Sequence, residues 1–284
     1  MISEIGLNGK TSVIQAEGVG SIPASRTMTT TFEHTKNNDL LAVHKGDFTV
    51  KLVLPKLANK IICKNHYSKT VAKGVLYHLG IFKKEHLYGI AQFGYGIMPM
   101  HTCQWVSGTK KDEYLELNRL WISDILGKNT ESFVIPMLLK FVREKNSKIK
   151  WIISFADGAM GKVGTIYQAT NFIYTGFRKD GGIWTTKEGK RMHSVSLWHK
   201  HGTIKRNVLE RIYGKPLFKV FGGQYRYFFF IDKKYAKKLV PKKLPYPKIE
   251  DTFQNLVVKT GYAQNSTKNK SRIEQYFTTI GVKI

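Results

Sequence analysis

The spacing of apolar and polar side chains divides the chain into alternating strands and helices between residues 46 and 248. Alternation with a period of two and short apolar runs indicate strands, whereas apolar positions three and four residues apart indicate helices. Strands are predicted at 49–54, 75–82, 87–94, 114–122, 149–156, 172–177, around Trp184, and at 193–197, 218–221 and 225–231. Helices are predicted at 55–65, 131–146, 166–169 and 203–213.

This order of elements predicts an α/β (α+β) fold, in which helices cover the faces of one mixed sheet. The strands at 75–82 and 87–94 are predicted to form a hairpin, because only four polar residues join them. The last two strands are predicted to form a closing hairpin whose turn contains Gly222 and Gly223. Asn129 or Thr130 is expected to cap the long helix that follows.

Composition bounds the domain organisation. The first 40 residues are rich in Thr, Ser, Gly and Asn and show no sustained period, so a loosely ordered extension is predicted at 1–45. The folded domain is predicted at 46–248, and a short tail at 249–284. The tail is expected to be a solvated terminus, with a partner-binding peptide at Gln275-Tyr276-Phe277 as the alternative.

The chain carries no sequence signal for a membrane or for export. It has no run of about 18 apolar residues, and its first ten residues lack the charged and apolar segments of a secretory signal. Cys63 and Cys103 are the only cysteines, and they lack CxxC spacing. This usage indicates a reducing cytoplasm and disfavours a structural zinc site.

Basic residues far outnumber acidic ones. The chain holds 46 Lys and Arg against 20 Asp and Glu, a formal charge of +26, which predicts a polyanionic partner. Nucleic acid is favoured over an acidic membrane, because the chain has neither a long apolar run nor a separate basic amphipathic helix. For the dense basic charge of segment 201–248, nucleic-acid contact is favoured over a solvated lysine-rich surface, because aromatic residues are interleaved with the charge. Two tryptophans in predicted loops, Trp105 and Trp184, are expected to wedge between bases or stack on them. Phosphate contacts are predicted for Lys205, Arg206, Arg211, Lys215, Lys233, Lys234, Lys237 and Lys238.

Four sequence blocks place polar side chains at the ends of predicted elements or inside apolar strands. They are KNHYSK at 64–69, ELNRL at 116–120, SFADG at 154–158 and GTIYQATNFIYTG at 164–176. In this order and spacing, the blocks resemble the Mom family of bacteriophage DNA-modification proteins. The resemblance spans about residues 60–232.

The resemblance implies a fold similar to the GNAT acyltransferases, and an enzyme that converts adenine in phage DNA to an N6-carbamoylmethyl derivative. This modification shields phage DNA from host restriction nucleases, so the implied partner is double-stranded DNA and the implied location is the host cytoplasm. Two alternatives stay open: a GNAT-type N-acyltransferase acting on a protein or small-molecule amine, and a basic nucleic-acid-binding protein without enzymatic activity. The oligomeric state is left open.

The chemistry of adenine determines what such a site needs. The N6 amine is delocalised into the ring and lies inside the duplex, so the enzyme must extrude the base and steer charge at the amine. Asp157 ends a buried strand before a Gly-rich turn and can accept an amine hydrogen bond and then the proton, with a turn cap as the alternative role. The family motif places His66 and Tyr67 at the site, His66 as an acid or base near neutral pH and Tyr67 as a stacking or donating group.

Arg119 and Tyr167 complete the predicted catalytic set. Arg119 stands in an apolar strand, so it needs either a carboxylate partner, such as Asp157 or Glu116, or a cleft. The cleft is favoured, with the guanidinium holding a phosphate or the carbonyl of the donor. Tyr167 opens a short helix near Asp157, and core packing is its alternative role.

The group donor is left open by the sequence. GNAT enzymes bind the CoA pyrophosphate with an Arg/Gln-x-x-Gly-x-Gly/Ala loop at a helix N-terminus, but the matching stretch 124–131 has one glycine and no such motif. This difference argues against acetyl-CoA and leaves an acyl or aminoacyl-type donor, for which Lys128 and Ser154 are candidate contacts. Histidine spacing disfavours zinc, and iron held by the predicted His, Tyr and Asp is left unassigned.

Overall fold

The computed structural model of the chain describes residues 41–179, 182–186 and 190–251, the backbone of Val257–Lys259, and Thr278. The predicted extension up to residue 40 and the Gln275-Tyr276-Phe277 peptide therefore lie outside the described residues. The boundaries predicted for the three segments of the chain stay predictions.

Twelve strands fall within the described residues, and they form two sheets. The strands are β1 (Ala42–Lys45), β2 (Phe48–Leu52), β3 (Val75–Lys83), β4 (His86–Gly94), β5 (Tyr114–Ile122), β6 (Trp151–Asp157), β7 (Ile173–Arg178), β8 (Ile183–Thr185), β9 (Arg191–His193), β10 (Phe218–Phe221), β11 (Gln224–Phe230) and β12 (Val257–Lys259). The large sheet has the order β1-β2-β3-β4-β5-β6-β11-β7, and the small sheet has the order β12-β10-β8-β9.

The large sheet is mixed, because β5 and β6 are parallel while its other neighbouring strands are antiparallel. Pairing between β5 and β6 stops after Glu116 and Ile153. Beyond that point, β5 is paired with β4 and β6 is paired with β11. The second half of β5 and the end of β6 are therefore not paired with each other, and a gap opens between them. The ELNRL block lies on β5 and the SFADG block lies at the end of β6.

Helices flank the sheets as the apolar spacing predicts. They are α1 (Pro55–Asn65), α2 (Pro99–Thr102), α3 (Thr130–Lys145), α4 (Thr165–Gln168), α5 (Ser194–His201) and α6 (Arg206–Tyr213), with 3-10 turns at Cys103–Trp105, Asp124–Leu126, Gly158–Met160 and Lys233–Lys238. The face of α3 that carries Val134, Leu138 and Phe141 is fully buried in the main core. Burial of these side chains against the sheet supplies the main stabilisation of the helix. The predicted mixed α/β architecture is confirmed.

Two predicted elements are wrong. Residues 194–201 form helix α5 rather than part of a strand, because Leu197 packs into the core under the small sheet and Gly202, in the left-handed region at φ 65°, ends the helix. The predicted closing hairpin does not form, because β10 pairs with β8 in the small sheet whereas β11 pairs with β6 in the large one. Gly222 and Gly223 therefore carry the chain from one sheet to the other.

That connection is packed closely against the turn that follows β6. A Cβ added at Gly158 would lie 2.1 Å from the carbonyl oxygen of Gly222, and one added at Gly222 would lie 2.1 Å from the amide nitrogen of Ala159. The amide of Gly158 also donates a hydrogen bond of 3.0 Å to the carbonyl of Gly223. Only glycine allows two backbones to approach so closely.

None of the helices in the described ranges combines the length and apolar character needed to cross a bilayer.

Candidate active site

A pocket of about 350 Å³ lies at the opening between β5 and β6. A volume of this size is within the range of small-molecule binding sites. One wall comes from the large sheet and the end of α1, and the opposite wall comes from β9 and α5 next to the small sheet. The charged or polar side chains that line it include Tyr67, Glu116, Arg119, Asp157, Arg191 and Lys200.

Asp157 is the last residue of β6 and is held by two donors. Its Oδ1 accepts the backbone N–H of Ala159 at 2.9 Å, which caps the 3-10 turn. Its Oδ2 is 2.8 Å from Nη2 of Arg191, and the two side chains are only 16% and 10% exposed. The predicted turn cap and the placement of the carboxylate in a pocket are thus both present at this residue.

His66 follows the last turn of α1, and its ring contacts the ring of Tyr67 with centroids 4.2 Å apart. The backbone N–H of Ser68 donates to Nδ1 of His66 at 3.2 Å, so the ring proton of the neutral form lies on Nε2. Burial, and then the positive charges of Arg119 and Lys162, lower the pKa of His66 to about 3. The prediction that His66 titrates near neutral pH is therefore wrong, because the ring stays neutral and cannot act as an acid there.

Tyr67 lines the pocket, and two cations lie near its ring. Lys162 Nζ and the Arg191 guanidinium carbon each lie 5.4 Å from the centroid of its ring. Burial, together with the negative charge of Asp157, raises the pKa of the Tyr67 hydroxyl above its ordinary value. The hydroxyl therefore stays protonated and is available as a hydrogen-bond donor.

Arg119 faces the pocket, as the sequence predicts. Its guanidinium donates to the carbonyl of Asn118 at 2.7 Å and to the carbonyl of Thr70 at 3.4 Å. Within the described part of the chain, it forms no ion pair with Asp157 or Glu116. The guanidinium thus lines the cavity without a direct carboxylate contact, while its positive charge acts on the nearby carboxyl of Glu116.

Tyr167 and Ser154 lie in the core next to the pocket and do not line it. Their hydroxyl oxygens are 2.7 Å apart, and Ser154 also donates to the carbonyl of Leu117 at 3.1 Å. Burial raises the pKa of Tyr167 to about 12. The prediction that Tyr167 contacts the reacting groups is corrected: its ring packs against Phe172 and Tyr227, and the Ser154–Tyr167 pair supports β6 from inside. The same burial excludes Ser154 as a direct contact of a donor in this pocket.

Four charged residues of the pocket were not predicted as site residues from the sequence: Glu116, Lys190, Arg191 and Lys200. Arg191 reaches Asp157 from the small sheet, across a separation of 34 residues, so no local signal marks the pair. Glu116 was considered only as a partner of Arg119, although an acidic residue in an apolar strand is a signal in itself. Burial is the largest influence on Glu116 and raises the pKa of its carboxyl.

The residues predicted to bind DNA fall into separate groups. Lys205, Arg211 and Lys215 are exposed at or near α6, which packs beside the small sheet. The guanidinium of Arg206 makes contacts within the protein: it donates to the carbonyl of Leu217 and forms an ion pair with Glu210 at 3.5 Å. The remaining predicted contacts are exposed on the 3-10 turn after β11, and they are Lys233, Lys234, Lys237 and Lys238.

This second group of lysines lies far from the pocket. Residue Gln224 of β11 pairs with Asp157 at the pocket, whereas Phe230 pairs with Trp151 at the other end of β6. Seven residues of strand separate these ends by roughly 20 Å. The α6 group is the nearer of the two, because Tyr213 at the end of α6 lines the pocket. The phosphate contacts of both groups stay a prediction.

The two tryptophans predicted to contact bases differ in their burial. Trp184 is 4% exposed in β8 and packs with Met192 and Leu197. Trp105 is half-buried against Phe155, and the guanidinium carbon of Arg226 lies 4.7 Å from its ring centroid. The expectation of a wedge at Trp184 is therefore wrong, because core packing occupies its ring, whereas base contact by the half-buried Trp105 stays a prediction.

The structure gives no support to the predicted donor contact at Lys128, and the described residues contain no candidate metal site. Lys128 is exposed on the loop before α3 and does not line the pocket. No group of three or more His, Cys, Asp or Glu side chains is arranged to hold a metal within the residues that the structure describes. Iron stays unassigned.

Comparison with known proteins gives matches of three kinds, to a family model, to a curated protein and to solved structures. The model of the Mom protein family matches residues 47–248. The curated protein "Methylcarbamoylase mom" of Escherichia phage Mu is 30% identical over 238 residues, which cover 81% of this chain and 96% of that protein. Among solved structures, RimL, a ribosomal-protein alpha-N-acetyltransferase in complex with coenzyme A, is 8% identical with a TM-score of 0.40 and covers 68% of this chain and 99% of its own.

A GNAT-family acetyltransferase from Streptococcus pneumoniae is 11% identical, with a TM-score of 0.33, and the match covers 47% of this chain and 89% of that one. Both TM-scores are below 0.5, so the function of this chain is not inferred from these structures.

Proposed function

The chain belongs to the Mom protein family, and from this premise we propose that it is a DNA-modifying transferase that converts adenine N6 to a carbamoylmethyl derivative. The product protects phage DNA from host restriction. An enzyme that modifies phage DNA in an infected cell works beside that DNA, which we take to be in the host cytoplasm. The alternatives, an acyltransferase for other amines and a binding protein without activity, both predict unmodified DNA.

The juxtaposition of three motif blocks in one pocket is the observation that carries the proposal. Tyr67, Arg119 and Asp157 come from different blocks, yet all three line the opening between β5 and β6. A base that leaves the duplex needs a pocket with an aromatic wall and groups that bind its polar edge. Tyr67 supplies the wall and a hydroxyl donor, and Asp157 supplies an acceptor for the amine.

The two carboxylates of the pocket suit different tasks. Each oxygen of Asp157 already accepts one hydrogen bond, but each has a second lone pair that can receive an N6 proton as a hydrogen bond. Glu116 is the better final proton acceptor, because burial raises the pKa of its carboxyl. We assign the orientation of the amine to Asp157. As N6 forms its new bond to the methylene carbon, the bond between that carbon and the rest of the donor breaks and the donor leaves with the electron pair, while Glu116 takes the proton that N6 loses.

The positive charges around the pocket favour anionic groups. Arg119 and Lys200 line the cavity without an ion-pair partner in the described ranges, so they are placed to bind a phosphate or the polar end of the donor. The pKa of His66 is lowered by burial and by the neighbouring cations, so near neutral pH its ring is neutral and keeps Nε2–H as a donor.

Modification of a plasmid in cells tests the proposal. The chain is expressed with the plasmid, the DNA is digested to nucleosides, and mass spectrometry measures the share of deoxyadenosine that carries the carbamoylmethyl mass. We expect the shifted nucleoside with the unchanged chain and its loss with Asp157→Ala and with Glu116→Gln. Asp157→Asn should keep more activity than Asp157→Ala, because its amide oxygen still accepts a hydrogen bond.

Asp232→Ala is the matched control for Asp157→Ala. Asp232 also precedes a 3-10 turn, and it also accepts the backbone N–H two residues ahead, at 3.0 Å from Lys234. It lies outside the pocket, so this variant should modify DNA like the unchanged chain. Unshifted deoxyadenosine with the unchanged chain, or full modification by Asp157→Ala, would contradict the proposal.

A further inference from the structure

The loop between β4 and α2 exposes apolar side chains at its tip. Ile97 is 93% exposed, Met98 57% and Met100 64%. Single exposed apolar side chains are common on protein surfaces, but three within four residues form a contiguous apolar projection. The described contacts of the core include none of the three.

This apolar tip lies at the edge of the pocket. Gly94, the last residue of β4, pairs with Glu116, which lines the pocket. Two residues later, a Cβ added at Gly96 would lie 2.3 Å from Oε2 of Glu116. Ile97 is the next residue, with its Cα about 3.8 Å further along the chain. The projection therefore starts within one residue of a pocket carboxylate.

A neighbouring loop adds positive charge at the same edge. The backbone N–H of Tyr95 donates to the carbonyl of Gly74 at 3.3 Å, which joins the tip to loop 69–74. In that loop Thr70 lines the pocket, whereas Lys69 and Lys73 are exposed. Apolar side chains flanked by lysines match the chemistry of duplex DNA, in which stacked bases lie between phosphates.

We propose that Ile97 and Met98 form a wedge that enters the base stack of duplex DNA and occupies the space left by the extruded adenine. The inference rests on the proposed function, which requires the adenine to leave the stack. Apolar Ile and Met side chains serve as such wedges in proteins that bend or unstack DNA. The wedge supplies the role that the sequence analysis gave to two tryptophans, from a loop that keeps its side chains free.

Base extrusion can be measured without the donor. The probe is a duplex oligonucleotide in which 2-aminopurine replaces adenine, because its fluorescence rises when it leaves the stack. The test variant is Ile97→Ala/Met98→Ala. The control variant is Val240→Ala/Ile249→Ala, which removes side chains that are 64% and 57% exposed and do not line the pocket. Thermal melting checks that both variants keep the stability of the unchanged chain.

We expect the unchanged chain and the control to raise the fluorescence of the duplex, and the wedge variant to lose about nine-tenths of that rise. Binding to a single-stranded oligonucleotide should change by less than about twofold, since no stack has to be opened there. The proposal would be overturned if the wedge variant raised the fluorescence as much as the unchanged chain does. It would also be overturned if the wedge variant lost binding to single-stranded and duplex DNA equally, because that result indicates a general contact with DNA rather than a wedge.

The plasmid assay separates this inference from the proposed function. The wedge variant should lower the share of modified deoxyadenosine by about tenfold relative to the control variant. Equal modification by the two variants would refute the wedge and leave the enzyme activity established. Absence of modification by the unchanged chain would refute the proposed function, and the fluorescence measurement would still decide whether the loop extrudes bases.

Discussion

Replacement of Arg191 by Met tests whether the small sheet holds the pocket carboxylate in place. Arg191 Nη2 and Asp157 Oδ2 are 2.8 Å apart, and their side chains are 10% and 16% exposed. An exposed ion pair contributes about 0–1 kcal/mol, and loss of one partner from a buried pair costs about 3–5 kcal/mol. Asp157 keeps the hydrogen bond from Ala159, so an intermediate loss of about 2–3 kcal/mol is expected.

The loss can be measured as a free energy of unfolding in urea, followed by tryptophan fluorescence. For a domain of this size, it corresponds to a fall in Tm of roughly 4–12 °C. A double-mutant cycle with Arg191→Met, Asp157→Asn and the double variant isolates the pairwise contribution, because the double variant has neither charge. We expect the double variant to be more stable than Arg191→Met alone.

The same variants connect stability with activity. Arg191→Met should lower plasmid modification even at a temperature where the variant is fully folded, because Asp157 loses the contact that fixes its orientation. A coupling energy below about 0.5 kcal/mol, together with an unfolding free energy equal to that of the unchanged chain, would refute this reasoning.

Three further predictions concern buried groups and glycine. The pKa of His66 is lowered from 6.5 to about 3 in the fold, so between these pH values the unfolded chain binds more protons and the free energy of unfolding should fall as the pH drops. In urea unfolding, His66→Gln should show a weaker fall with pH than the unchanged chain. An equal dependence of the unfolding free energy on pH would contradict the assignment. Gly96→Ala should lower both Tm and DNA modification, because its new Cβ would meet the Glu116 carboxylate. Gly108→Ala has nearly the same φ but open space around it, so it should cost only about 1–2 kcal/mol in urea unfolding. Equal losses of stability and of modification in the two variants would be inconsistent with the contact at Gly96. Trp184→Ala should cost about 3–5 kcal/mol in urea unfolding, whereas Trp198→Ala, at a 56% exposed site, should stay within about 0.5 kcal/mol, and the opposite order would show that Trp184 is not a core residue.

Local sequence signals were sufficient for most of the large sheet and its helices. The strand predicted at 114–122 and the helix predicted at 55–65 have the observed bounds, because alternation and a proline at the first turn are properties of the segment itself. Helix α5 was missed because its eight residues show no clear helical period, and its stability comes from packing of Leu197 under the small sheet.

Long-range contacts explain what the sequence could not show about the site. Asp157 and Arg119 stand out locally, one before a glycine turn and one inside an apolar strand. Arg191 looks like part of a basic surface, and only the fold brings it to Asp157. For Tyr167 the reverse is true: its position in a motif predicted a catalytic role, but its hydroxyl is hydrogen-bonded to Ser154 inside the core. The motif blocks therefore predicted which residues surround the candidate pocket better than they predicted the role of each residue.

The close approach of Gly158 and Gly222 links the two sheets mechanically at the site. The chain crosses from the small sheet to the large one at Gly222, and the same contact fixes the turn that begins with Asp157. A shift of the small sheet therefore displaces the carboxylate directly, without any intervening side chain. Asp157 is therefore coupled to the small sheet twice, through this backbone contact and through the side chain of Arg191.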